Sequence, residues 1–170
     1  LGSQIKCNPA VKSAADQHAL LDAVRNDVLD IIATDHAPHT WEEKQNSYFK
    51  APSGVPLVQH SLQALLELYH NGVFSLETIV KKTSHAVAER FQVQDRGYIR
   101  EGYFADLVLL DLGKPYVVND SNLLYLCGWS PFNGYRFQST IEMTLVNGQI
   151  AWQNGQVTDQ VLGKRLTFNR

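Results

Sequence analysis

The sequence predicts an α/β protein whose first part is a parallel strand, helix, strand unit and whose second part is mostly β. Three observations carry this: short apolar runs ending in turn residues, a helix-period stretch between two of them, and a change near residue 94 to β-branched and aromatic chain of alternating polarity. A boundary at about residue 93 follows, giving segments 1–93 and 94–170.

The elements follow in order. Gln4 to Cys7 suits a short strand, and Asn8-Pro9 stops it because a residue before proline is pushed away from helical geometry. Ser13 is a good N-cap, and Ala15, Ala19, Leu20, Ala23 and Val24 then recur at helical spacing up to about Val28, predicting a helix packed by that face. Asp30-Ile31-Ile32-Ala33-Thr34 reads as a strand buried on both faces. Residues 35–55 form a long polar loop with Pro38, Pro52 and Gly54, in which Thr40-Trp41-Glu42-Glu43 has capping-box spacing for a short helix. Val58, Leu62, Leu65, Leu66 and Tyr69 give a further helix ended by Asn71-Gly72, Ser75 caps another, and Ser84 to Phe91 add one more. Beyond the boundary, Tyr98 to Asp111 and Ser139 to Val157 read as strands, with Asn147-Gly148 as a type I′ hairpin turn. Ile141, Met143, Leu145, Ile150 and Trp152 are expected on one side of that hairpin.

Composition excludes several classes. With 44% hydrophobic and 19% charged residues and a net charge of -2, the 170-residue chain is an ordinary globular sequence rather than a disordered or fibrous one. The charge balance gives no reason to expect nucleic acid or an anionic membrane as partner. No apolar run approaches the roughly 20 residues that span a bilayer and no charged-then-apolar leader opens the chain, so a cytoplasmic location is expected. Cys7 and Cys127 belong to no C-x-x-C pair and read as reduced thiols. The chain opens at Leu1 without Met and carries structure within its first dozen residues, so it is expected to be a piece of a longer protein.

The chemistry centres on Thr34-Asp35-His36-Ala37-Pro38-His39. Asp35 falls at the carboxyl end of a predicted parallel strand, where open and closed α/β enzymes gather catalytic groups. Position alone equally suits an aspartate that caps the loop. His36 and His39, each taken alone, suit loop or packing histidines, and Asn8 and Ser53-Gly54 suit ordinary turn and loop residues. His18, His60, His70 and His85 sit on predicted helices as packing or surface residues, while Glu42, Glu43 and Lys44 read as a solvated, capped turn.

The combination is more specific than its parts. Asp35-His36-Ala37-Pro38-His39, following Lys6-Cys7-Asn8-Pro9-Ala10-Val11-Lys12 in the same order and at similar separation, resembles the signatures of dihydroorotases in the amidohydrolase superfamily. Lys50-Ala51-Pro52-Ser53-Gly54 is similar to the loop where that family makes backbone contacts to its substrate ring. The Gly97 to Asp111 pattern resembles the re-entry into the small β domain of amidohydrolases, and Ser130-Pro131-Phe132-Asn133-Gly134 resembles that domain's closing part. Ala10-Val11-Lys12 departs from the Pro-Leu-Arg common after the family's Asn-Pro. Hydantoinases and allantoinases share the aspartate and the β domain, while His39 and the Asn8 segment favour dihydroorotase.

The resemblance implies a fold: the C-terminal strands and helices of a (β/α)₈ TIM-type barrel over 1–93, then the C-terminal part of a small β-sandwich domain over 94–170. A whole barrel needs roughly 250 residues, more than this chain holds. It also implies a zinc-dependent hydrolysis or formation of a cyclic amide, L-dihydroorotate to N-carbamoyl-L-aspartate, in pyrimidine biosynthesis. Asp35 would ligate one of two zinc ions and carry a proton from the attacking hydroxide to the leaving nitrogen, as a carboxylate with two oxygens is able to do. Asn8 and His39 would hold the substrate's ring and carboxylate, and backbone groups of Ser53 and Gly54 would add hydrogen bonds. His36 would be a supporting or structural residue, because an adjacent residue points elsewhere.

The family's other zinc ligands are a His-x-His pair, a carboxylated lysine and two further histidines, and this chain has none of that set; its six histidines include no His-x-His. The resemblance therefore implies an inactive fragment that docks with the missing N-terminal part or packs against a copy of itself. Two other functions are open on the same residues: a hydantoinase or allantoinase relative, and a non-catalytic dihydroorotase-like subunit that supports a partner such as aspartate transcarbamoylase.

Overall fold

The computed structural model describes residues 2–158 and 163–169. Its first half is helical and its second half is antiparallel β, joined through one shared apolar core.

The first helix, α1 (Ala14–Arg25), starts where the capping chemistry places it. Ser13 Oγ accepts from the Asp16 N–H at 3.3 Å while the Asp16 carboxylate accepts from the Ser13 N–H at 3.0 Å, so two end donors are satisfied reciprocally. Only its last turn reaches the core, through Val24 and half-buried Leu21. The expected packed face extends less far than its periodicity, since Ala15, Ala19 and Leu20 are exposed: nothing among the described residues packs over that half of the helix.

Two of the expected strands are absent among the described residues. Gly2–Ile5 is a turn of 3-10 helix rather than the start of a strand over Gln4 to Cys7. Residues 30–34 join no ladder, because a strand exists only beside a partner and none lies there among the described residues. That segment is instead docked on a helix. The Ile32 N–H donates to the Lys82 carbonyl at 3.1 Å, and the Lys82 ammonium reaches the Leu29 carbonyl at 2.5 Å and Asp27 at 2.7 Å.

That helix is continuous. Ser75 caps α4 (Leu76–Val80), a π turn over Lys81–His85 follows, and α5 (Ala86–Arg90) completes it, so the two helical stretches read separately in the sequence are one element. The Ala86 N–H reaches back five residues to the Lys81 carbonyl, and the wider turn leaves the Lys82 carbonyl for Ile32. The helix α2 (Trp41–Lys44) and the helix α3 (Ser61–His70) lie earlier in the chain, the first capped by Thr40 and Glu43 as its spacing predicts, the second ending at Asn71 before Gly72 at φ +68°. Leu66, Phe74, Ile79 and Val24 form the buried cluster, with Ile32, Leu62, Leu65, Tyr69, Leu110 and Leu112 packed on it.

The β half contains a four-stranded antiparallel sheet in the order β1 (Leu107–Asp111), β4 (Thr140–Val146), β5 (Gln149–Gln153), β6 (Gln156–Val157), and a two-stranded pair of β2 (Tyr116–Val117) with β3 (Arg136–Phe137). The strand expected from Tyr98 is shorter, because Gly97 and Gly102 at φ +85° and +82° turn the chain before Leu107. Asn147-Gly148 adopts the double positive φ, +53° and +79°, of a type I′ turn.

The hairpin's apolar stripe is split rather than continuous. Leu145 faces Ile150 but Thr144 faces Trp152, so Ala151 is an extra residue on β5. Cross-strand partners share a face and consecutive residues do not, which puts Ile150 and Trp152 on opposite sides. Trp152 joins Ile141 and Thr144 against Gln59, Gln63, Tyr116 and Leu124. The halves meet there: the Gln59 N–H donates to Tyr125 Oη at 3.0 Å, and His70 Nε2 lies 2.7 Å from Ser139 Oγ. Among the described residues no helix is long and apolar enough to cross a membrane.

Candidate active site

Asp35 sits where the segment 30–34 turns into the long loop, and its backbone is left-handed at φ +46°. Aspartate tolerates that geometry better than most residues. Asp35 is exposed. The next residues are anchored to the far end of the loop: His36 and Val55 form an isolated parallel bridge, and the Ala37 N–H donates to the Val55 carbonyl at 3.4 Å.

His36 is turned to structural work. Its Nδ1 accepts from the Leu57 and Val58 N–H groups at 3.1 and 3.4 Å, and its ring stacks on Tyr125 with centroids 5.6 Å apart. His39 points to the loop carrying Ser53 instead. Its Nε2 lies 3.1 Å from the Ser53 carbonyl oxygen and its Nδ1 3.4 Å from Glu43 Oε2, so each ring nitrogen faces an acceptor. Trp129, buried, donates its indole N–H to the His39 carbonyl at 2.8 Å and meets Trp41 edge-on, which fixes the backbone of His39 from the β half.

Loop 49–54 is held by lysines through its carbonyl oxygens. Lys6 Nζ donates to Ala51 at 2.7 Å and to Phe49 at 3.3 Å, and the Gly54 N–H returns a bond to the Lys6 carbonyl at 2.9 Å. Lys44, read from sequence as part of a solvated turn, is fully buried, and its ammonium donates to the carbonyls of Lys6, Pro52 and Gly54. Glu42 and Glu43 are exposed, as the sequence predicts. Gly54 has φ +134°, and a Cβ there would lie 2.3 Å from the Ala37 carbonyl oxygen, so only glycine lets the loop lie flat against the residues after Asp35.

The structure thus ties three of the sequence-predicted segments together by hydrogen bonds: the one ending in Asn8, the one carrying His39, and Ser53-Gly54. Asn8 itself is exposed, two residues beyond the Lys6 anchor. Gly54 spends its N–H and carbonyl on holding the loop, with half-buried Ser53 beside it. Sequence reasoning missed Lys6, Lys44 and Trp129. The signal for the lysines is accounting: the carbonyls of a long loop outside helix and sheet must find donors somewhere.

A metal is implied for Asp35, but among the described residues no group of three or more histidines, cysteines and carboxylates is placed to hold one. A catalytic zinc normally takes three protein ligands, so the residues present do not by themselves make up such a site.

The chain belongs to the amidohydrolase family, whose family model matches residues 7–151. It is 36% identical over 158 residues to a dihydroorotase of Halobacterium salinarum, covering 93% of this chain and 37% of that protein. It is also 30% identical over 167 residues to an allantoinase of Desulfitobacterium hafniense, covering 98% of this chain and 37% of that protein. Among solved structures, the L-hydantoinase (dihydropyrimidinase) of Arthrobacter aurescens superposes with a TM-score of 0.87 at 29% identity over 92% of this chain and 36% of that one. The mixed α/β fold is therefore that of the TIM-barrel amidohydrolases, as the sequence predicts, and the chain spans little more than a third of the length of these relatives.

Proposed function

We propose that this chain is part of a dihydroorotase, a cytoplasmic zinc-dependent enzyme of pyrimidine biosynthesis that interconverts L-dihydroorotate and N-carbamoyl-L-aspartate. The observation that carries the reading is the hydrogen-bonded junction of the Asn8 segment, His39 and the Ser53-Gly54 loop beside Asp35. An anionic, amide-containing ring needs an amide partner, a cationic or N–H donor for its carboxylate, and backbone groups along one edge, and Asn8, His39 and the Ser53-Gly54 loop are the residues proposed for these roles.

In this reading Asp35 accepts the proton of the attacking water as its oxygen bonds to the ring carbonyl carbon. The carbon–nitrogen bond then breaks, and Asp35 delivers the same proton to the departing nitrogen. Asn8 pairs with the ring amide, His39 donates to the substrate carboxylate once a ring nitrogen leaves its acceptor at Ser53 or Glu43, and Ser53 with Gly54 lines the ring edge. Two zinc ions would be held with residues outside this chain, which the amidohydrolase relatives are long enough to possess. Residues 1–93 form the barrel part and 94–170 the β-domain part of that enzyme, with the remainder of the protein as their obligatory partner.

A second reading has support of its own, since an allantoinase and an L-hydantoinase match this chain about as extensively as the dihydroorotase. Both would use Asp35 in the same way on a five-membered ring. The test is a substrate panel on the zinc-loaded full-length protein. The dihydroorotase reading expects dihydroorotate to be opened faster than hydantoin or allantoin; the opposite order assigns the chain to the other branch, and no opening of any ring favours a non-catalytic subunit.

A further inference from the structure

Lys44 is an ammonium ion with no exposed surface and, among the described residues, no carboxylate partner. The ion pairs among those residues involve other cations, and its three N–H donors are met by three neutral carbonyls: Pro52 at 2.9 Å, Gly54 at 2.9 Å and Lys6 at 3.3 Å. Burying a charge without a counter-ion is costly, and it is sustained here because every donor is satisfied. The three carbonyls are not neighbours in one turn. Two belong to the loop 52–54 and one to the segment that runs into Asn8, and these are the two pieces of chain assigned above to the substrate.

The backbone around Lys44 is fixed as well. Its own carbonyl accepts from Ser3 Oγ at 2.5 Å, and it closes the short helix α2 whose cap residue Thr40 directly follows His39. The other fully buried lysine, Lys82, does the ordinary thing: it pairs with Asp27 and ties 27–29 to its own helix.

We infer that Lys44 is the positioning residue of the substrate loop, its buried ammonium holding Pro52 to Gly54 against the Asn8 segment so that both present one surface. The inference rests on the proposed reading that Asn8, Ser53 and Gly54 contact the substrate. Lys44 itself touches no substrate. Its removal therefore acts on binding more than on the bond-breaking step.

The test uses the zinc-loaded full-length protein with Lys44→Met, which keeps the length of the side chain and removes its donors. Two quantities are read: KM and kcat for dihydroorotate, and amide hydrogen exchange along the chain. KM is expected to rise about 10-fold or more with kcat within about threefold, the loss of a charged hydrogen-bond hub being felt in binding. Exchange is expected to accelerate in peptides covering 50–57 and to stay unchanged over 61–90. An unchanged KM together with unchanged exchange at 50–57 overturns the inference, as does a kcat loss at constant KM.

Should Lys44→Met fail to fold, the wild-type protein decides. Acetylation of Lys44 is followed by mass spectrometry with and without N-carbamoyl-L-aspartate, with Lys82 as the internal control. Slowing at Lys44 alone supports the inference, and equal rates at Lys44 with and without the ligand overturn it. A wild-type protein that neither opens dihydroorotate nor binds the carbamoyl product sinks the functional reading instead, and the exchange result at 50–57 still decides whether Lys44 holds the loop.

Discussion

His39 Nε2 lies 3.1 Å from the carbonyl oxygen of Ser53, so the histidine that closes the Asp35 segment and the loop fourteen residues later hold each other. A ring nitrogen engaged with Ser53 fixes the plane of the imidazole, and Trp129 fixes the backbone behind it. Replacing His39 by Asn keeps a donor but shortens it. Hydrogen bonds involving a charged group contribute about 1.5–3 kcal/mol, so KM for dihydroorotate should rise by roughly 10- to 100-fold while kcat changes less. Steady-state kinetics on the full-length protein check this, and an unchanged KM with a collapsed kcat would place His39 in the chemical step instead.

Gly54 offers a second handle on the same surface. An alanine there puts a Cβ 2.3 Å from the Ala37 carbonyl oxygen and 2.9 Å from Ala37 Cβ, at a φ that side chains rarely adopt. The loop must lift, breaking the bonds to Lys6 and Lys44. Overpacking of this kind costs about 1–3 kcal/mol, and Gly54→Ala should lower the melting temperature and raise KM together. A variant with wild-type KM would show that the loop's contact with Ala37 is irrelevant to binding.

Acid should weaken the fold in two steps. His60 is fully buried among Tyr116, Tyr125, Phe132 and Phe137, and its Nε2 has no hydrogen-bond partner among the described residues. Burial pushes its pKa down to about 4 from an ordinary 6.5. The unfolded chain then takes up a proton that the folded one refuses, so stability from this site is complete above pH 6.5 and is lost as pH falls toward about 4. Asp27, hydrogen-bonded by Lys81 and Lys82, titrates at about 2 rather than 3.8, so its share is present above 3.8 and is lost as pH falls through about 2. Thermal unfolding against pH should show a smaller decline between 6.5 and about 4 for His60→Leu than for the wild type. Parallel curves would mean that His60 is solvated in the folded state.

Local chemistry is the legible part of this chain. Ser13 as an N-cap, Thr40 with Glu43, and Asn147-Gly148 each fix their geometry through residues a few positions apart, so the sequence shows them directly. Residues 30–34 look like a strand in sequence and are not one, because a strand depends on a distant neighbour, and here the neighbour is the helix carrying Lys82. The split stripe of Ile150 and Trp152 arises from one extra residue, Ala151, that alternation alone does not reveal. For the site, the Asn8 segment and the Ser53-Gly54 loop are joined through Lys44, and a lysine beside two glutamates in a capped turn looks like surface. Trp129 gives no signal in the sequence, since its partner, the His39 carbonyl, is 90 residues away.

The proposed chemistry stands or falls on Asp35 carrying the proton between the attacking water and the leaving nitrogen. Asp35→Asn keeps the shape and the left-handed backbone of the residue while removing its basicity. With zinc content measured in both proteins, kcat of the full-length enzyme on dihydroorotate should fall by roughly 10²- to 10⁴-fold, the usual contribution of a positioned acid–base group, with binding of the carbamoyl product within a few fold of wild type. A variant with full zinc that turns over within about threefold of wild type would remove Asp35 from the proton path.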